Sequence, residues 1–351
     1  MRVDVTVCYT FLMKSYFATF IPGFSQVIEE LLKKDFPDIE IVRFFSSSVL
    51  FRTESDPKNT AARPYLSNVF LALHSSDIDP AKQNGSVAKE LHAGIDPHHL
   101  SSLRSVFPNT NSFRMMVQQG NKLVHIPKDF SRKILSGFTK QTKLIHNPLK
   151  ADIEFWFLIR NERFAVCGVK ISKNDTSEDL QKGQLQPELA YLLNYLSEPK
   201  ATDTYLDPFA GHGTLALDRL TIAPFTQIYT SDTDKVLLQK LKKKADRRII
   251  IKESDGLHLT YLADHSITSI VSDPPWGIFQ MEDINYVDFY TEMLREMIRV
   301  LKAKGILVIL TGKPEEFDQA VKTYKNTFSI LKKIKTLVNG KKATVYKMII
   351  P

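Results

Sequence analysis

Four aspartates end four apolar runs in the second half of this chain: Asp207, Asp232, Asp255 and Asp273. The last opens the turn Ser272-Asp273-Pro274-Pro275-Trp276-Gly277, which follows the strand-like run Ile267-Thr268-Ser269-Ile270-Val271. Two successive prolines remove two backbone donors and stiffen the turn, but their carbonyls remain as acceptors. The Asp273 carboxylate, the Pro274 and Pro275 carbonyls and the face of Trp276 form a rigid arc of acceptors beside an aromatic plane. Such an arc suits a planar group bearing an NH2, such as a nucleobase edge. The first aspartate opens Asp207-Pro208-Phe209-Ala210-Gly211-His212-Gly213-Thr214, a glycine turn between a short strand, Thr204-Tyr205-Leu206, and a helical pattern from Leu215. A turn of this kind aims backbone N–H groups and a positive helix end at a ligand.

Gly211-His212-Gly213-Thr214-Leu215-Ala216 also fits a dinucleotide fingerprint, with Asp232 downstream for a ribose hydroxyl. A nicotinamide or flavin enzyme is therefore the first alternative. The remaining strand ends decide against it. Gln227 to Asp232 ends in an acid placed for ribose hydroxyls, and Ile249 to Asp255-Gly256 ends in one placed to accept from an adenine amine. A nicotinamide dinucleotide needs neither the third acid nor the acceptor arc, whereas an adenosine ligand beside a target amine uses both. Parallel strands presenting acids along one edge of an open sheet place the site in the crevice where such sheets bind ligands.

Stepping outward, 351 residues suffice for two or three domains with their own cores. With 43% apolar and 25% charged residues the chain is globular, and its net charge of +8 favours an acidic partner, nucleic acid first. Cys8 and Cys167 lie far apart with no CxxC pair, which argues against a cysteine zinc site and fits a reducing, cytoplasmic setting. His92, His98 and His99 lack cysteine or glutamate at ligand spacing and are expected to be solvated loop residues without metal. The start, with Asp4 and Lys14 inside its apolar pattern, makes a poor signal peptide, and Ile306 to Leu310 is too short to span a membrane.

In the first half, Val3 to Val7 reads as a strand, Val27 to Leu32 as a helix, and Ile39 to Val42 and Ser48 to Phe51 as strands. This is the order of a ferredoxin-like opening, which Asn68 to Leu73 would close. A polar stretch follows, with a loop around Asp77 to Ser86 and a short helix after Pro97. Phe113 to Val117, Ile153 to Ile159 and Phe164 to Ile171 are expected strands, with a helix over Ser131 to Phe138. Lys122, Lys128, Arg132, Lys133, Lys140, Lys143, Arg160 and Arg163 accompany them, and the pattern points to a nucleic-acid platform. Pro187 starts a helix to Leu196, Tyr286 to Leu301 is a long amphipathic helix, and Asn339-Gly340 marks a closing hairpin.

Asp207 to Thr214 and Ser272 to Gly277 resemble the cofactor and target-amine motifs of S-adenosylmethionine-dependent methyltransferases that act on exocyclic amino groups. Gly183-Gln184-Leu185-Gln186-Pro187-Glu188-Leu189 is similar to the lead-in helix of THUMP-associated RNA methyltransferases, which form 2-methylguanosine in tRNA. Pro22 to Phe51 and Phe113 to Ile171 resemble that family's ferredoxin-like and THUMP parts. The resemblance is specific over 183–277 and loose before 173, and it departs at His212, where the family usually carries a small residue, and in the long polar stretch after Leu73.

The resemblance implies an α/β chain: a ferredoxin-like domain at 1–75, a THUMP-like RNA-binding domain at 76–173, a linker and lead-in helix at 174–201, and a Rossmann-like methyltransferase domain at 202–351. It implies S-adenosylmethionine held by Asp207, Pro208, Phe209, Ala210, Gly211, Gly213, Thr214, Asp232, Asp255 and Gly256, and catalysis by Asp273, Pro274, Pro275 and Trp276. Asp273 and the Pro274 carbonyl would accept the two N–H bonds of a guanosine 2-amino group while Trp276 stacks on the base, with no metal and no strongly shifted base required. RNA, tRNA foremost, is the implied partner. Nothing in the sequence identifies an activating protein or an oligomeric state. The rival readings are an adenine 6-amino methyltransferase acting on DNA or RNA, and an inactive RNA-binding protein on a transferase fold.

Overall fold

The computed structural model describes residues 13–79, 81–172, 180–181, 183–277 and 284–351. The expected strand at Val3 to Val7, Cys8 and most of the linker after Ser172 lie outside these residues. The chain divides into two compact units, one of residues 1–20 and 25–174, the other of 21–24 and 175–351.

The first unit is built on one nine-stranded sheet. It opens with β1 (Lys14–Thr19), α1 (Ser25–Asp35), β2 (Glu40–Phe44), β3 (Ser48–Thr53), α2 (Pro57–Ala61) and β4 (Asn68–Asp77). These strands pair in the order β2-β3-β1-β4, every pair antiparallel, which is a ferredoxin-like arrangement, but its first described strand is Lys14–Thr19, a stretch where no strand is expected from the sequence. Helix α1 forms because Val27, Ile28, Leu31 and Leu32 recur at helical spacing and bury one stripe.

Two helices follow, α3 (Asn84–Ala93) and α4 (Pro97–Val106), then β5 (Ser112–Gln119), β6 (Lys122–Leu123), α5 (Lys128–Thr142), β7 (Ile145–His146), β8 (Ile153–Arg160) and β9 (Phe164–Lys170). Helix α3 corrects the expected loop: its start falls inside Asp77 to Ser86, where Val87, Ala88 and Leu91 bury a short stripe behind a polar first turn. His92 sits in α3 with its ring against Phe138 at 4.8 Å, so it is no loop residue, while His98 and His99 are exposed on α4. Burial lowers the His92 pKa, and a proton there would be costly. Cys167 is fully buried in β9, and burial pushes its thiol up. Strand β4 pairs with β9, and β9 with β8, so one sheet runs through the whole unit and the expected boundary at 75/76 falls inside a strand.

The second unit carries α6 (Pro187–Leu196), β10 (Thr204–Asp207), α7 (Thr214–Ile222), β11 (Gln227–Asp232), α8 (Lys235–Lys244), β12 (Ile249–Glu253), β13 (Ile267–Ser272), α9 (Tyr286–Val300), β14 (Leu301–Thr311), α10 (Pro314–Thr323), β15 (Ser329–Val338) and β16 (Lys341–Ile349). Its seven strands lie in the order β12-β11-β10-β13-β14-β16-β15. The first five are parallel, and β16 enters antiparallel between β14 and β15. The strand order reverses at β10, which has β11 on one side and β13 on the other. Ligands bind open α/β sheets outside the carboxyl ends of the strands at such a switch point.

Candidate active site

Asp207 and Asp273 meet at that switch point. Asp207 ends β10 and is 1% exposed. Its Oδ1 accepts from the Ser272 hydroxyl at 2.9 Å and from the Phe209 amide at 3.3 Å. Its Oδ2 is buried without a partner among the described residues. Burial, with the Asp232 charge adding to it, pushes the Asp207 carboxyl up to about 7. Asp273 follows β13 and is half-buried as a residue, yet its Oδ1 is shut off from solvent and also lacks a partner. Burial pushes this carboxyl up to about 8; the Trp276 indole counteracts it and the Asp207 charge adds to it. The indole Nε1 lies near the carboxylate without reaching hydrogen-bond geometry to any acceptor among the described residues. The expectation of unshifted acids is thereby corrected. Two carboxyls placed side by side at a dry switch point resist ionisation until a donor or a cation joins them.

The glycine loop is held from β11. Asp232 Oδ2 accepts from the Gly211 amide at 2.7 Å, its Oδ1 from the Asp234 amide at 2.9 Å, and Ala210 N donates to Ser231 O at 2.8 Å. Asp232 thus braces the loop in addition to the ribose role expected of it. Gly211 and Gly213 both hold positive φ, +50° and +78°, where an L side chain is strained. They do different work. A Cβ on Gly211 would point into open space, whereas a Cβ on Gly213 would collide with Leu241 of α8. Gly213 lets α7 and α8 approach, and Gly211 leaves open space beside the loop while Asp232 holds its amide. Thr214 starts α7, whose first turn carries no side-chain cap.

The remaining residues complete the wall. Pro208 is buried; Phe209 is half-buried, its ring 5.9 Å from Phe289 and close above Gly256, where an added Cβ would lie 2.5 Å from the ring. Asp255 is exposed, and its Oδ1 accepts from the Leu257 amide at 2.9 Å. Pro274 is buried, and Pro275 and Trp276 are half-buried. The indole packs on Gly312 after β14, where an added Cβ would fall 2.5 Å from Cε3. Ser272, Leu241 and Gly312 were not anticipated. Ser272 had a signal, a small polar residue just before the turn in an otherwise apolar run; the other two reach the site only through the fold.

Asp207 Oδ2 wants a donor, the space beside the Gly211 Cα is open, and the first turn of α7 has no side-chain cap among the described residues. Together these suit a cofactor with a cationic group near a carboxylate and polar atoms near backbone N–H groups. Beside it, Asp273 Oδ1 wants the N–H of a second molecule. Among the described residues no group of three or more His, Cys, Asp or Glu could hold a metal ion, and no helix is long and apolar enough to cross a membrane.

This strand order and switch-point site are those of a methyltransferase sheet, and residues 175–342 match the UPF0020 family, described as RMKL-like, methyltransferase domain. That stretch of the chain is a domain of this kind. Over 172 residues the chain is 27% identical to tRNA (guanine(6)-N2)-methyltransferase of Thermus thermophilus, a match covering 46% of this chain and about half, 51%, of that relative. The whole fold resembles the crystal structure of TrmN from Thermus thermophilus, with a TM-score of 0.74 and 18% identity over 97% of this chain and 100% of that one. It also resembles SMU.472 complexed with SAH, with a TM-score of 0.68 and 13% identity over 95% and 97% of the two chains.

Proposed function

We propose that this chain transfers a methyl group from S-adenosylmethionine to the exocyclic 2-amino group of a guanosine in RNA, with tRNA as the substrate class and a cytoplasmic setting. The observation that carries this reading is the pair of buried carboxylate oxygens, Asp207 Oδ2 and Asp273 Oδ1, without partners among the described residues, at the switch point of a methyltransferase sheet. The tRNA guanine-N2 activity named for the Thermus thermophilus relative supports the choice of base and RNA.

When bound, the cofactor supplies a methyl already activated on a sulfonium. Asp207 Oδ2 would take its cationic end, the Gly211 backbone its polar chain, and Asp232 and Asp255 its ribose and adenine. Asp273 and the Pro274 carbonyl accept N–H bonds from the target amine, localising a lone pair that otherwise delocalises into the base. Trp276 holds the base plane. As nitrogen bonds the methyl carbon, that carbon's bond to sulfur breaks and leaves a neutral thioether, so the positive charge passes to nitrogen, which must release one proton. Burial raises the Asp273 carboxyl to about 8, so its ionised form, which grows as pH rises toward that value, is a base strong enough to stabilise that charge and receive the proton.

The test is nucleoside mass spectrometry of tRNA incubated with purified protein and labelled S-adenosylmethionine. Label in 2-methylguanosine supports the reading. Label in 6-methyladenosine transfers the site to the adenine rival. Cofactor binding without label in RNA, given tRNA from cells lacking the gene, leaves the inactive RNA-binding protein.

A further inference from the structure

The catalytic unit carries a cationic ridge that none of the chemistry above uses. Helix α8 buries Leu238 and Leu241, and opposite them Lys240, Lys243 and Lys244 share one exposed stripe at spacings of three and four. Val236, 60% exposed, extends that stripe by one turn. Lys242 and Arg247 flank it, both exposed. Among the described residues none of these five cations has an ion pair, in contrast to the neighbouring Lys235, held by Glu253 at 3.1 Å, and Arg248, held by Asp246 at 2.9 Å. The acids nearest the ridge are committed elsewhere: Asp234 caps α8 by accepting from Val236 N and Leu237 N, and Asp246 is tied to Arg248.

The bland explanation is that lysines at a helix C-terminus offset the macrodipole. That effect is confined to the last turn and is served by one or two charges. Lys240 precedes the last turn, and three lysines already fill it. The ridge also reaches the site. Leu241 of α8 packs on Gly213 of the glycine loop, and at the neighbouring half-buried His212 the charges of Lys240 and Lys244 add to burial in lowering its pKa, with Asp234 and Asp232 acting the other way. An anion lying along α8 therefore ends beside the cofactor loop.

We infer that the exposed stripe of α8, Lys240, Lys243 and Lys244 with Lys242 and Arg247 at its flanks, is an RNA phosphate-backbone contact surface on the catalytic unit itself, running to the cofactor loop at His212. It rests on the reading of the chain as an RNA methyltransferase and changes the expected division of labour: RNA affinity is not confined to the first 173 residues. A polyanion, unlike an acidic protein surface, matches cations spaced along a helix with a sparse apolar contribution, since Val236 alone is exposed there.

The experiment compares full-length wild type with Lys240→Glu/Lys243→Glu/Lys244→Glu, and with a control, Lys322→Glu/Lys325→Glu, on the end of α10 and just beyond it. Equilibrium binding to unfractionated tRNA is measured across salt concentrations, and S-adenosylmethionine affinity by calorimetry. Each lysine on a phosphate contributes about one to the slope of log K against log salt. The α8 variant is expected to lose a slope of about 2–3, to bind tRNA more weakly at low salt, to raise KM with little change in kcat, and to keep cofactor affinity. The control is expected to match wild type. An unchanged slope and affinity in the α8 variant, as contact with an acidic protein would give, overturns the ridge while leaving the methyltransferase reading intact; so does an equal loss in the control. Wild-type protein that binds cofactor and no tRNA overturns both.

Discussion

Replacing Asp273 by asparagine is expected to slow methyl transfer and stabilise the fold at once. Asparagine keeps the shape and one acceptor oxygen, but removes the charge that would stabilise a cationic nitrogen and adds an NH2 that opposes the amine's own N–H groups. Loss of one preorganised group at a developing charge costs about a hundredfold to a thousandfold in turnover, or ~2.7–4 kcal/mol. The stability effect follows from the raised carboxyl, about 8 against an ordinary value of 3.8. A carboxyl raised on folding contributes fully below its unfolded value, and that contribution is lost as pH rises through the folded one. Each pH unit in that window is worth up to ~1.4 kcal/mol, reduced by solvent reaching the part of Asp273 that stays exposed. Asp273→Asn should therefore unfold like wild type near pH 4 and at a higher denaturant midpoint at pH 8. Single-turnover rates at saturating cofactor and tRNA from pH 6 to 9 supply the other half: the wild-type rate rises as Asp273 ionises, and the variant is slow and flat. A variant within about threefold of wild type in rate, far from the hundredfold expected, or less stable than wild type at pH 8, would refute the acceptor mechanism.

Gly211→Ala should cost roughly 1–2 kcal/mol for the left-handed backbone and weaken cofactor binding in calorimetry, whereas Gly213→Ala should lose more stability in thermal melts because its Cβ also meets Leu241. Equal melts for the two would contradict their separate roles. Trp276→Phe should shift the rising limb of the pH–rate profile to higher pH, because the indole N–H that counteracts the burial of Asp273 is gone; Trp276→Ala should lose a further stacking contribution of about 1–3 kcal/mol per base, seen as weaker tRNA binding. Ser272→Ala removes a donor from Asp207 Oδ1; the Asp207 carboxyl should rise further, and cofactor affinity, measured against pH, should fall most below pH 7.

The strand-end acids and the hairpin were legible because they are local. A strand of period two that stops at an acid announces its own end, and Asn339-Gly340, both at positive φ, is a turn with one geometry. The division of roles between Gly211 and Gly213 was not legible, since Leu241 lies 28 residues further on in sequence and only the α7–α8 packing brings it there. The shifts of Asp207 and Asp273 were hidden too: each aspartate alone resembles a surface turn residue, and burial beside the other is a property of strand order. Helix α3 was missed because Asn84, Gly85 and Ser86 favour turns, and its stripe is short. The RNA-binding role of the basic residues before 173 remains a proposal of the sequence, tested by salt-dependent binding of full-length protein.

The ladder between β4 and β9 joins segments about a hundred residues apart through seven registered pairs, from Phe70↔Lys170 to Asp77↔Phe164. Neither segment can satisfy the edge it offers without the other, so an excised ferredoxin-like piece would expose a raw strand edge open to pairing with another chain. The first unit should therefore denature in a single cooperative step, with amides of β4 and β9 exchanging hydrogen at one common rate. Non-local pairing of this length also slows assembly, because loop closure precedes the contacts that reward it. A ribosome must release residue 170 before β4 finds its neighbour, which leaves the nascent first unit dependent on its last strand.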